Sequence, residues 1–151
     1  MYDVRSRTVS FSERYGKTIV LIISLLAIFL FVYTGYTKAV EFDRFQSGLA
    51  RLAILRPYST FLAAFIIVSE FLIAVMLMFQ RTILWGLYAF TGIITGFTVF
   101  ILYLLISGSK LPCYCGGVIE SLNWVQHSWF NLAFIILGLI GIYYAGATKN
   151  Q

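Results

Sequence analysis

Both cysteines of the chain stand two residues apart in Leu111-Pro112-Cys113-Tyr114-Cys115-Gly116-Gly117. Proline fixes one backbone dihedral and glycine frees others, so the pair sits in a turn-forming loop. Two thiols this close can bridge only through a very small ring, which departs from relaxed disulfide geometry and exchanges readily. The same small ring removes little entropy from the unfolded chain and makes a poor staple. Thiol–disulfide exchange is therefore the preferred chemistry of Cys113 and Cys115. The structural alternative is two unpaired thiols, or an inert bridge in an oxidising compartment. A metal site is the weakest of the three readings and no metal ligand is assigned, because a Cys-x-Cys pair with one histidine leaves a tetrahedral ion short of ligands.

His127, the one histidine, follows Cys115 by twelve residues, and Asn131 lies four further along the same helical face. If the loop folds back, the imidazole becomes the candidate partner that stabilises a thiolate or moves its proton. Its structural alternative is an interfacial polar residue flanked by Trp124 and Trp129 at headgroup level. Glu70 is the one acid inside an apolar segment, about 20 Å from that segment's Pro57 end at 1.5 Å per residue. Thr95, counted back from Lys110, lies about 22 Å deep and is the expected hydrogen-bond partner. Tyr88, Thr91, Thr95 and Thr98 share one face of that helix. An intramembrane carboxyl is a functional candidate by default, here as a proton carrier. The structural alternative, which weighs more, is a carboxyl bonded to threonine hydroxyls that holds helices in register. At about 20 Å, Glu70 is too deep to act directly on the cysteines.

The elements that must position these residues are membrane helices. Of 151 residues 60% are hydrophobic and 11% charged, about half the charge of a soluble domain, which excludes a soluble enzyme with a large aqueous cleft. Four segments, 18–37, 57–80, 82–109 and 121–148, are long enough to span a bilayer. The expected fold is an all-α, integral membrane four-helix bundle, a single domain over 18–148 with a polar tail at 1–17 and a stub at 149–151. The first span is read as retained: it is too long for a signal-peptide core and lacks a small-residue cleavage site. Arg81 alone separates the second and third spans, so Gln80 to Thr82 is a tight hairpin.

Four spans put both termini on one side, side A, and the loops 38–56 and 110–120 on side B. In the first of these loops Phe42, Phe45, Leu49 and Leu52 recur at helical steps between charges, as in a short amphipathic helix lying in the membrane interface. Side A carries Arg5, Arg7, Arg14, Lys17, Arg81 and Lys149; side B carries Lys38, Arg44, Arg51, Arg56 and Lys110. Six against five leaves orientation undecided by the positive-inside rule. The net charge of +5 comes with no basic cluster interleaved with aromatics, so lipid, not nucleic acid, is the expected counterpart. Gly92 with Gly96, and Gly138 with Gly141 and Ala145, are read as faces for close helix packing. No phosphate loop, zinc signature, serine nucleophile motif or internal repeat is evident.

The four-span layout, the Thr34-Gly35-Tyr36-Thr37-Lys38 exit from the first span, the Phe-rich loop, the central Glu70, and Cys113-Tyr-Cys115-Gly-Gly followed by Trp124, His127 and Asn131 together resemble the MauE branch of the DoxX-like membrane proteins. The resemblance covers about residues 15–147, and its most specific stretch runs from Cys113 to Asn131. Gly116 stands where the family form Cys-x-Cys-Phe-Gly has Phe. The resemblance implies a multi-pass bacterial inner-membrane protein with cytoplasmic termini and a periplasmic cysteine loop. It further implies association with methylamine utilisation and a thioredoxin-like or disulfide-rich periplasmic partner, with Cys113 and Cys115 as the redox pair. Such a redox component must pass its electrons to a quinone or a second thiol protein, although the sequence displays no quinone site and no other cofactor. Two other functions are kept: a non-catalytic membrane scaffold or accessory subunit of an envelope complex, and a small proton-coupled transporter using Glu70. The transporter reading is the weaker, since no broken helix or repeat marks mid-membrane.

Overall fold

The computed structural model describes residues 3–50, 55–106 and 124–149. Five α-helices occupy them, with no strand among the described residues: α1 Asp3–Val40, α2 Phe42–Ala50, α3 Ser59–Met78, α4 Ile83–Ile106 and α5 Trp124–Lys149. A single 3-10 turn, Arg56–Tyr58, leads into α3. Segments Tyr15–Val40, Arg56–Met78, Ile83–Tyr103 and Gln126–Ala147 are long and apolar enough to cross a bilayer. Helices suit that solvent because they satisfy every backbone N–H and C=O internally. The ends differ from expectation at α1, which begins within the segment read as a polar tail and runs past Thr37 to Val40. Residues 107–123, with the cysteine loop, lie outside the described residues.

The helices pack in the ring order α1, α3, α4, α5, each antiparallel to its neighbours, as in an up-down-up-down bundle. The hairpin expected around Arg81 is present between α3 and α4. The Thr82 amide donates to the Phe79 carbonyl at 3.0 Å, and its hydroxyl donates to the Met76 carbonyl at 2.7 Å, satisfying an acceptor that the end of α3 leaves open. Gly86 lets the two helices meet beside this turn, because a Cβ there would stand 3.0 Å from the Leu77 side chain.

The interior divides into two halves along the bundle axis. Toward side A, Val20, Ile23, Ala27 and Phe31 of α1, Ile73, Ala74 and Leu77 of α3, Leu87, Phe90 and Ile94 of α4, and Ala145 of α5 form one apolar core. Toward side B, the buried residues include Thr34, Lys38, Glu70, Thr98, His127 and Asn131. Large apolar side chains such as Phe29, Phe61, Phe65 and Ile106 point outward, an arrangement that only an apolar solvent tolerates over a whole surface. The short α2 is amphipathic as expected, but its apolar face packs on protein: Phe45 is buried with Ala63 and Ile67 of α3, and Phe42 and Leu49 pack beside them. Gln46 adds a hydrogen bond to Thr60 at 2.6 Å.

The two small-residue faces part company. A Cβ on Gly138 would collide with the Thr91 hydroxyl, and one on Gly141 would lie 3.2 Å from Ile23 and Leu87, so this face closes α5 onto its neighbours. Gly92 and Gly96 point away from the bundle and a Cβ on either meets nothing within 4 Å. The close packing expected of Gly92 and Gly96 does not occur among the described residues. Gly138→Ala should therefore destabilise the detergent-solubilised protein by about 1–3 kcal/mol through overpacking, whereas Gly92→Ala should be neutral or stabilising, since alanine favours helix over glycine. Thermal melts of the two variants check the contrast; equal losses would contradict this packing.

Candidate functional site

Lys38 stands two residues from the end of α1, a place for a surface cation, yet it is 6% exposed and its ammonium donates to Glu70 Oε1 in a buried ion pair. The antiparallel helices explain the meeting. Side chains on an α-helix lean toward its N-terminus. Lys38, near the side B end of ascending α1, leans back into the bundle, while Glu70 on descending α3 leans up toward side B. Gly35 permits the close approach: a Cβ there would stand 3.2 Å from the Phe71 ring and 3.4 Å from Glu70 Oε2. The carboxylate is thus level with Gly35, five residues or about 8 Å below the end of α1. From Glu70 to the start of α3 the rise is eleven residues, about 16 Å. α2 packs beside this longer stretch of α3, with Phe45 against Ala63 and Ile67.

Around the pair every helix contributes. The Lys38 ammonium lies 5.6 Å from the centroid of the Phe45 ring on α2 and 5.8 Å from that of Phe97 on α4, within the range of cation–π attraction. On the other side of the layer the His127 ring meets Phe97 edge-on, centroids 5.9 Å apart. His127 is buried at the first turn of α5, and Asn131, also buried, follows one turn on along the same face. The threonines spend their hydroxyls on their own helices. Thr34 donates to the Leu30 carbonyl at 2.9 Å, and Thr98 donates to that of Ile94 at 2.7 Å. Glu70 Oε2 and Asn131 Nδ2 are left buried without a hydrogen-bond partner.

This arrangement relocates several residues read from the sequence. Thr95 is not the partner of Glu70: it lies on the exposed face of α4, and its hydroxyl donates to the Thr91 carbonyl at 2.7 Å. Glu70 turns toward α1, where it pairs with Lys38. The expected stripe is split, with Thr91 and Thr98 inside and Tyr88 and Thr95 outside. Glu70 and His127, read from the sequence as unconnected, are both buried toward side B, with Asn131 one turn beyond His127 on α5. Trp129 is exposed, as an interfacial ring would be, and Cys113 and Cys115 lie outside the described residues. Sequence reasoning missed Lys38, counted as a surface charge. Its signal was the exit segment, where Lys38 follows Thr34 by one turn and a lone membrane acid nearby requires a base.

Chemically, the layer offers an ammonium, a carboxylate, an imidazole and an amide beneath aromatic rings. Among the described residues no group of three His, Cys, Asp or Glu is gathered to hold a metal ion. Comparison with curated proteins and with solved structures gives no match. A family model does match, over residues 16–144, a stretch that contains the whole polar layer and both cysteines. Its description is methylamine utilisation protein MauE. With four helices fit to cross a membrane and a match over most of its length, this chain belongs to the MauE family of multi-pass membrane proteins.

Proposed function

We propose that this protein exchanges thiol/disulfide equivalents with a periplasmic thioredoxin-like or cysteine-rich protein through Cys113 and Cys115, and so aids that partner's maturation. The observation that carries the reading is the position of the polar layer. The segment bearing both cysteines connects α4 to α5 in the sequence, and the first turn of α5 carries His127, buried toward the same end of the bundle as Lys38 and Glu70. Exchange needs a thiolate to attack and a proton for the sulfur that leaves, and His127, one turn into α5 and twelve residues after Cys115, is a group able to carry that proton. In each cycle a thiolate attacks a disulfide sulfur to give a mixed disulfide, and the second thiol of the attacking pair resolves it. One disulfide and one dithiol have then traded places, with no net electrons or protons released.

The ion pair supports one orientation. Lys38 is buried against Glu70, so it is no longer a surface cation of side B, and the tally becomes six Lys and Arg on side A against four on side B. The positive-inside rule then favours side A, with both termini, in the cytoplasm of a bacterial inner membrane, and the cysteine loop in the periplasm. A scaffold reading is favoured by one observation, that Lys38–Glu70 ties α1 to α3 as structural glue.

Thiol trapping in intact cells with a membrane-impermeant alkylating reagent tests the exchange reading. Labelling of Cys113 and Cys115 is expected only after reduction. Free thiols that label without reduction argue against a standing disulfide, and no labelling under either condition argues against a periplasmic loop.

A further inference from the structure

The Lys38 ammonium of α1 faces three other helices at once. It donates to Glu70 of α3, and the rings of Phe45 on α2 and Phe97 on α4 lie with their centroids 5.6 Å and 5.8 Å from it. Its hold on the two rings is electrostatic and needs the positive charge. That charge stays buried only while the Glu70 carboxylate answers it.

Helix α2 depends on this contact more than the long helices do. It has nine residues, fewer than the roughly 12 at which an isolated helix becomes even marginal in water. Its hydrogen bond to α3, from Gln46 to Thr60, lies at the exposed surface, where water competes for both groups. The apolar face that rests on Ala63 and Ile67, made of Phe42, Phe45 and Leu49, would suit the membrane interface as well. A single turn residue, Glu41, joins α2 to α1. Two seats are therefore open to α2, one on α3 and one in the interface, and the cation beside Phe45 favours the first. The carboxylate that keeps the cation there has one oxygen, Oε1, on Lys38 and the other, Oε2, buried without a partner. A buried carboxylate so sparsely bonded is costly to keep charged, and Oε2 is free to take a proton.

We propose that α2 is a strap latched to the bundle by the Lys38 ammonium, and that a proton taken up by Glu70 from the water on side B releases it. The proton leaves a hydronium ion and forms an O–H bond on Oε2, and no electrons move. The carboxyl is then neutral and Lys38 has no counter-ion. Lys38 stands two residues from the end of α1, so its stem carries the ammonium out toward side B water, away from Phe45 and Phe97. Turning at Glu41, α2 leaves Ala63 and Ile67 for the interface, and loss of the proton returns it. The latch involves neither cysteine and stands apart from the exchange reading. Glu70 is the only titratable group of α3, and those of α4, Tyr88 and Tyr103, are exposed, as are Asp43 and Arg44 of α2. On α1 Tyr36 is exposed and half-buried Tyr33 stacks on exposed Phe29, while Glu41 pairs with Arg44 at 3.3 Å at the surface. On α5 Tyr143 and Tyr144 lie near its side A end, but His127 is buried toward side B, and its titration must be told apart from that of Glu70.

Hydrogen–deuterium exchange of the full chain in lipid nanodiscs, corrected for the intrinsic effect of pH, reads the strap at residues 42–50 and the apolar core at 87–94. On acidification from neutral pH, exchange at 42–50 in wild type rises roughly tenfold, the shift expected from losing one desolvated cation–ring contact, while 87–94 stays protected. Glu70→Gln exchanges fast at 42–50 already at neutral pH and shows no further response to acid. Should that variant not fold, the Lys38→Met, Glu70→Gln double variant, with both charges removed, carries the same expectation. His127→Gln keeps the wild-type response. A strap whose exchange is constant for as long as the core stays folded, or that loosens only together with the core, overturns the latch. A folded double variant as protected at 42–50 as wild type overturns the role of Lys38, and an acid response lost in His127→Gln overturns that of Glu70.

Discussion

Lys38→Met should destabilise the bundle by about 3–5 kcal/mol, the cost of removing one partner from a buried ion pair and leaving the other charge uncompensated. Methionine keeps the length and much of the packing of the lysine stem, so the loss isolates the charge. The Glu70 carboxylate would then keep neither its counter-ion nor its one strong donor, with Oε2 already open. The double variant Lys38→Met, Glu70→Gln should recover most of the loss, because replacing both members of a buried pair by neutral groups is often close to neutral. Thermal and denaturant melts of the four proteins in one detergent give the coupling energy. Independent, additive losses would mean that the two side chains do not meet. If the double variant is stable and still processes the partner protein, the pair is a structural tie; if it is stable but inactive, the layer has a second role.

The bundle was legible because it follows from a coarse property, the length of uncharged segments set against the thickness of a bilayer. The hairpin at Arg81 followed from the same arithmetic, and α2 from helical spacing of Phe42, Phe45 and Leu49. What spacing along one helix does not contain is rotation about its axis and the tilt of side chains between helices. Depth arithmetic put Glu70 level with Thr95, and depth was not the deciding variable: Glu70 faces α1, and Thr95 faces out. Lys38 was hidden for a related reason, since a lysine near a helix end ordinarily extends toward water, and only the antiparallel run of α1 against α3 with Gly35 between them turns it inward. The Gly92 and Gly96 pair shows the same limit, a packing motif whose spacing is right and whose face points away from the chain's other helices.

Replacing both cysteines, Cys113→Ser and Cys115→Ser, should reduce maturation of the partner to the level of a strain lacking the protein, with membrane insertion and melting temperature unchanged. Serine preserves size and polarity but cannot form the mixed disulfide through which all exchange passes. The single variants should differ from the double in kind. With one thiol left, attack on a partner disulfide can begin but no second thiol resolves it, so a covalent adduct with the partner should accumulate on non-reducing gels. The residue that remains in the adduct-forming variant is the attacking cysteine, which neither the sequence nor the polar layer identifies. Full activity in the double variant would sink the exchange reading and leave the scaffold. Lost activity without an adduct in either single variant would mean that the cysteines matter for some step other than exchange. The two sets of variants separate cleanly, because the ion pair lies within the bundle and the cysteines lie in the loop that joins α4 to α5: Lys38→Met is expected to lower stability, and the cysteine pair is expected to lower activity alone.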